Sequence, residues 1–326
     1  MRVVLRLWMA LVLACSLFGL HGCAALKAGQ TQALLASPPA DLPPLKLLSA
    51  TPFFPQTELQ CGPAALATVM VAAGVATTPQ ALSSEVFLPG RGGSLQIDML
   101  AAPRRHGVLS TRIQPDLSGL LREVAAGHPV VVLLNLGLSL YPVWHYAVVV
   151  GYDLPAGDVL MRSGSTELAR WPLSTFEHTW SRSGQWAFVV LPPDQLPVAA
   201  SEADVSEGRV NFERLASPEQ AVRAYRAAWQ RWPDSLVLGL GLGNALHAAG
   251  DSREAAQVLS QVALRHDSAA AWNNLATVRL KLGERAAALH AAEQALRRAQ
   301  TQEPRWLDAA RATLDEVRQA LTTPGP

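Results

Sequence analysis

The segment Pro55-Gln56-Thr57-Glu58-Leu59-Gln60-Cys61-Gly62-Pro63-Ala64-Ala65-Leu66 sets one cysteine directly before a Gly-Pro step that opens an apolar stretch of helical length. A thiol on the first turn of a helix faces unpaired backbone amides and the positive end of the helix dipole, which favours its thiolate. Gly62 admits close approach of a substrate backbone. The Cys61 amide can donate to an oxyanion, and the Gln56 side chain offers a second donor. Such a sulfur needs an imidazole as proton acceptor and donor. His145, in Trp144-His145-Tyr146-Ala147-Val148-Val149-Val150-Gly151-Tyr152, stands at the mouth of an apolar strand, where a polar side chain sits on the rim and faces a cleft. His128, in a turn before proline, and His178, in an aromatic helical stretch, are weaker partners.

The elements that must position this pair follow from periodicity. Gly62 to Gly74 reads as a helix started by Gly-Pro and stopped by Gly. Ser94 to His106 and Leu117 to Ala126 read as two more. Pro129 to Leu136, Tyr146 to Tyr152, Val159 to Arg162 and Trp186 to Leu191 read as strands. Helices first and strands after them give an α+β order over residues 46–195. Trp144 is read as a wall of the cleft, and the loop Leu88-Pro89-Gly90-Arg91-Gly92-Gly93 as a flexible connection beside it.

Beyond an acidic, polar linker at residues 196–215 the chain turns wholly helical and self-similar. Ala221, Tyr225 and Ala228 recur 34 residues on as Ala255, Leu259 and Val262, and again 33 on as Ala288, Ala292 and Ala295. A helix pair this short buries its apolar face only against its neighbour, so residues 216–322 are expected to form an all-α solenoid resembling tetratricopeptide repeats. The first unit shows only its second helix, and Trp306 to Leu321 is the terminal cap. Repeats of this kind imply a protein or peptide partner.

The start of the chain reads as an address. A basic Met1-Arg2-Val3-Val4-Leu5-Arg6 precedes an apolar run that ends at Leu20-His21-Gly22-Cys23. This resembles the bacterial lipobox, which implies a signal peptide over 1–22, acylation of Cys23 and a tether over 23–45. Ala24 after the cysteine implies the outer membrane, with the body facing the periplasm. Of three cysteines, one is then discarded and one acylated. Cys61 remains alone, without a disulfide partner.

Gln, Cys-Gly-Pro-Ala-Ala-Leu and, later, His-Tyr-Ala-Val-Val-Val-Gly-Tyr-Asp are similar to the double-glycine-leader, bacteriocin-processing peptidases and their papain-like relatives. The resemblance covers roughly Leu47 to Leu191. It implies a papain-like cysteine peptidase fold, Cys61 as nucleophile and His145 as base. In that family an Asp or Asn one strand and a turn after the histidine orients the imidazole. Aligned strand to strand, that place falls on Ser163, with Asp153 and Asp158 as charged alternatives nearby. The spacing from Gln56 to Cys61 is one residue shorter than in transporter-linked members, so Gln60 stays a rival oxyanion donor.

Composition narrows the remaining classes. A net charge of +1 and 16% charged residues give no field to attract nucleic acid. There is no Walker or dinucleotide glycine loop and no spacing of His, Cys and acids fit for a metal, so neither cofactor nor metal is expected.

Overall fold

A computed structural model describes residues 28–56 and 60–322; the signal segment, Cys23 and residues 57–59 lie outside the described residues. After helix α1 (Gly29–Ala36) and strand β1 (Leu45–Leu47) come α2 (Cys61–Ala72), α3 (Pro79–Val86), a short hairpin of β2 (Phe87–Leu88) and β3 (Gly93–Ser94), and α4 (Gln96–Arg105). Next are β4 (Leu109–Arg112), α5 (Leu117–Ala125), β5 (Val130–Asn135), β6 (Trp144–Asp153), β7 (Asp158–Ser163), β8 (Thr166–Pro172), α6 (Leu173–Ser181) and β9 (Ala187–Leu191).

The main sheet is antiparallel in the order β4-β9-β5-β6-β7-β8, with β1 paired to the far end of β6. Near-continuous Val and Leu in β5 and β6 demand cover on both faces, and both are covered. Val130, Val132, Leu134, Ala147 and Val149 pack with Leu120 of α5 and with Phe176 and Trp180 of α6. Val131, Leu133, Tyr146, Val148 and Val150 pack on the opposite face with Leu66 and Met70 of α2 and Met99 of α4. The helix that begins with Cys61 therefore lies on the sheet at the level of β6.

The stretch expected as a tether is folded from Ala28 onward. The Gln30 and Thr31 amides donate to the two Glu177 carboxylate oxygens at 3.0 and 2.7 Å, and Gln30 Oε1 accepts from the Leu117 amide at 2.6 Å. Helix α1 is thus bound across α5 and α6 by partners far along the chain.

The stretch expected as a linker holds a helix too. Ser201 and Asp204 form a capping box that starts α7 (Glu202–Glu213). Its buried Phe212 packs with Leu109 of β4 and Ala224, so the edge strand is covered by a helix rather than left open. Arg209, fully buried, donates to the carbonyls of Ala224 and Gln195. Helix α7 supplies the first helix that the opening repeat lacked. The solenoid continues through α8 (Pro218–Arg231), α9 (Leu236–Ala248), α10 (Ser252–His266), α11 (Ala269–Lys281), α12 (Arg285–Thr301) and the cap α13 (Leu307–Thr322). The repeating small residues are buried where the helices cross. A Cβ on Gly241 would meet the Tyr225 ring at 2.2 Å, so only glycine lets α9 approach α8 this closely.

Candidate active site

Cys61 is the first residue of α2, and Gln60 is its cap. Pairing of β6 with β7 stops at Val148–Arg162, so the opening residues of β6 have no strand neighbour on that side. There the Tyr146 amide points at the Cys61 sulfur, together with the amides of Gly62 and Cys61 itself. These three donors, two on the first turn of α2 and one on β6, draw the thiol pKa down. Burial outweighs them and holds the thiol above its ordinary value. The sequence-based expectation of a lowered thiol pKa is corrected here, because the first turn is covered by the sheet and by β3.

His145 precedes Tyr146 on the same rim. Its Nε2 lies 2.9 Å from Ser163 Oγ at the end of β7. Burial holds the imidazole below its ordinary value, so at neutral pH it is uncharged. In the tautomer that carries its proton on Nε2, the imidazole donates to Ser163 Oγ and its Nδ1 lone pair is free to take a proton. No hydrogen bond joins Cys61 directly to His145 among the described residues.

The alternatives to Ser163 are disposed of by register. Asp153 pairs with Asp158 at the opposite end of the β6–β7 hairpin, where both carboxylates bind Arg170 at 3.3 and 3.0 Å. Eight residues of strand between His145 and Asp153 are about 26 Å of rise, which puts both acids out of reach.

The two glutamines also separate. The Gln56 amide donates to the Gly164 carbonyl at 3.0 Å, which fastens the loop before α2 to the turn beside Ser163. Gln60 lines a different cavity of about 370 Å³, turned toward Pro79, Gln80 and Ser83 of α3. The structure brings Gln56, not Gln60, to the side of Ser163.

A cleft of about 570 Å³ opens beside Cys61, lined by Gly92, Gly93, Ser94, Leu95, Leu133, Trp144 and Tyr146 among others. Cys61 does not line it directly, but two of its neighbours do. Ser94 lies so near α2 that a Cβ on Gly62 would meet its Oγ at 2.2 Å and its Cβ at 2.6 Å. Tyr146 Oη donates to the Ser94 carbonyl at 3.2 Å. Gly62 therefore serves the packing of β3 on α2, and Trp144 lines the cleft. The loop before β3, read as a flexible connection, is a structured cleft wall. Ser94 and the two donors of Tyr146 were not singled out in the sequence; a Tyr directly after the rim histidine was the available signal. No group of His, Cys, Asp or Glu is placed to hold a metal ion among the described residues.

Residues 49–188 match the model of the Peptidase_C39 like family, and residues 216–277 match a tetratricopeptide repeat model. Among solved structures, the chain is similar to a C39-like peptidase from Bacillus anthracis, with 18% identity over 45% of this chain and 97% of that one and a TM-score of 0.39. It is also similar to the Yersinia enterocolitica translocator chaperone SycD in complex with a peptide of YopD, with 18% identity, 36% and 93% coverage and a TM-score of 0.34. A third likeness is to PcrH in complex with the chaperone binding region of PopD, with 20% identity, 36% and 92% coverage and a TM-score of 0.35. No curated protein matches the chain. The chain is thus a sheet-containing C39-like domain, mixed α and β, followed by an all-α repeat region.

Proposed function

We propose that the C39-like domain is a cysteine peptidase of the bacteriocin-processing type, held at a membrane through an acylated Cys23, and that the repeats present it with a protein or peptide partner. Cys61 Sγ attacks the scissile carbonyl carbon while its proton passes to His145 Nδ1. The carbonyl oxygen becomes an oxyanion held by the Cys61 amide and the Gln56 side chain. The imidazolium returns its proton to the leaving amine as the C–N bond breaks, and water then hydrolyses the thioester with His145 again as base. Since burial disfavours both the thiolate and the imidazolium, proton transfer accompanies attack rather than preceding it. Ser163 keeps the imidazole in the tautomer this needs, with less support for its charge than a carboxylate gives.

The observation that carries this reading is the shared rim: the Tyr146 amide faces the sulfur, and the adjacent His145 is fixed by Ser163. In this reading the body faces the periplasm, on the inner side of an outer membrane. To test it, peptide cleavage and alkylation of Cys61 are followed over a pH series in wild type, Cys61→Ala and His145→Ala. Turnover lost in both variants, with slower alkylation in His145→Ala, is expected; unchanged turnover in Cys61→Ala would end the proposal.

Two observations favour a second reading. Ser163 stands where a carboxylate would support the base, and the thiol is held protonated. A catalytically silent envelope scaffold would keep both domains as binding surfaces. It predicts a partner retained by the repeats and no thioester with any peptide or amide.

A further inference from the structure

The connection from β5 to β6 and the first residue of β6 read Leu136-Gly137-Leu138-Ser139-Leu140-Tyr141-Pro142-Val143-Trp144, nine residues without a charge. It is tightly built. Asn135, buried at its base, accepts the Gly137 and Val143 amides on Oδ1, both at 3.0 Å. Leu138 and Tyr141 exchange both backbone hydrogen bonds at 3.2 Å, and the Leu136 amide donates to the Val143 carbonyl at 2.9 Å. Yet this ordered turn directs its large side chains outward: Leu138 is 70% exposed, Leu140 86%, Tyr141 79% and Trp144 53%. A fixed backbone that displays Leu, Tyr and Trp without charge has the composition of a membrane-interface contact.

Position in the chain supplies the occupant. Only residues 24–27 separate Cys23 from Ala28, the first described residue, which is 6% exposed. Five Cα steps reach at most about 18 Å. Helix α1 starts on Glu177 of α6 and runs toward the β6–β7 turn, where Leu35 meets Gly157. Its start therefore lies toward the other end of the sheet, where β5 leaves and β6 enters. Five residues beyond Glu177, about 8 Å of helix rise, Arg182 donates to the Asn135 carbonyl at the base of the apolar turn at 2.8 Å.

Resting on the proposed acylation of Cys23, we infer that the turn formed by residues 136–144 lies in the headgroup region of the bilayer that carries the acyl anchor. The anchor and the turn then form two contacts of one membrane-facing surface, and the cleft beside Trp144 opens along the bilayer rather than into free solvent. A substrate would be taken from chains already at the membrane surface.

The test uses the full acylated chain in phosphatidylethanolamine–phosphatidylglycerol vesicles. An environment-sensitive nitrobenzoxadiazole probe is attached at Leu140→Cys in a Cys61→Ser background, with the same probe at Leu264→Cys, exposed on the repeats, as reference. Flotation of the chain with vesicles reports the anchor. Several-fold brighter emission at position 140, quenching by headgroup-level spin-labelled lipid and at least threefold weaker iodide quenching than at 264 support the contact. Flotation with equal iodide quenching at both positions overturns the contact and leaves the anchor standing. Absence of flotation overturns both. Shielding of position 140 by a cleavable peptide without vesicles, and none by lipid, overturns the contact and assigns the turn to the cleft.

Discussion

The two regions of this molecule are built on opposite principles. In the sheet domain, the site gathers Gln56, Cys61, Ser94, His145 and Ser163 from separate elements, so its geometry depends on strand register and on helices returning from far along the chain. In the solenoid each helix packs on its sequence neighbours, and small residues at a fixed period make the crossings. In the proposed function, chemistry falls where long-range order must be complete, and recognition where order is local and additive. Damage to the first should therefore be all-or-none for activity, and damage to the second graded.

The largest effect expected from breaking this contrast is at the sulfur. Cys61→Ala should lower kcat for peptide cleavage by at least about 10³-fold, while far-ultraviolet helicity and partner capture by the repeats stay at wild-type level. Comparable loss of both would mean that the regions are not separable. Next comes the orienting hydroxyl. Ser163→Ala removes one hydrogen bond of about 1 kcal/mol and should reduce kcat by roughly five- to tenfold with little change in KM. Ser163→Asp should restore or exceed wild-type kcat.

A pH profile sharpens the same comparison. Burial lowers the His145 pKa, so the neutral base persists into more acidic solution and the acid limb of kcat/KM should fall below the ordinary imidazole range. Burial raises the Cys61 pKa, so the alkaline limb should lie above the ordinary thiol range. Acid and alkaline limbs drawn inward of those ranges would contradict the burial. The smallest effects are expected from packing. Gly62→Ala should destabilise the sheet domain by about 1–3 kcal/mol through overpacking against Ser94, measured by denaturant unfolding, and Ser94→Gly should recover part of that loss. Gly241→Ala should cost a similar amount in the repeats alone, with cleavage by the sheet domain unchanged.

How much was legible from sequence follows the same division. The repeats could be read because their signal is local: Ala221, Tyr225 and Ala228 return at a constant spacing, and the crossings in the structure fall on them. Cys61 and His145 could be read because a helix start and a strand mouth each announce themselves in a few residues. What was hidden depends on distant partners. Helix α1 looks like a proline-rich tether until Glu177, 146 residues beyond Thr31, binds its free amides. Helix α7 looked like a polar linker, although the spacing of Ser201 and Asp204 was a visible cap, because its cover for β4 is not written locally. The choice among Ser163, Asp153 and Asp158 needed the register of β6 on β7. The resting protonation of Cys61 needed the burial of a first turn that sequence places only at a helix end.

Helix α7 has a consequence for how such proteins can be rearranged. It is at once the first member of the repeat stack and the lid on the edge strand β4, with Arg209 and Phe212 sunk between them. A gene split before it strips the sheet, and a split after it strips the stack. The repeats cannot then be exchanged as a free module, and any partner they bind would be held at a fixed bearing to the cleft beside Cys61.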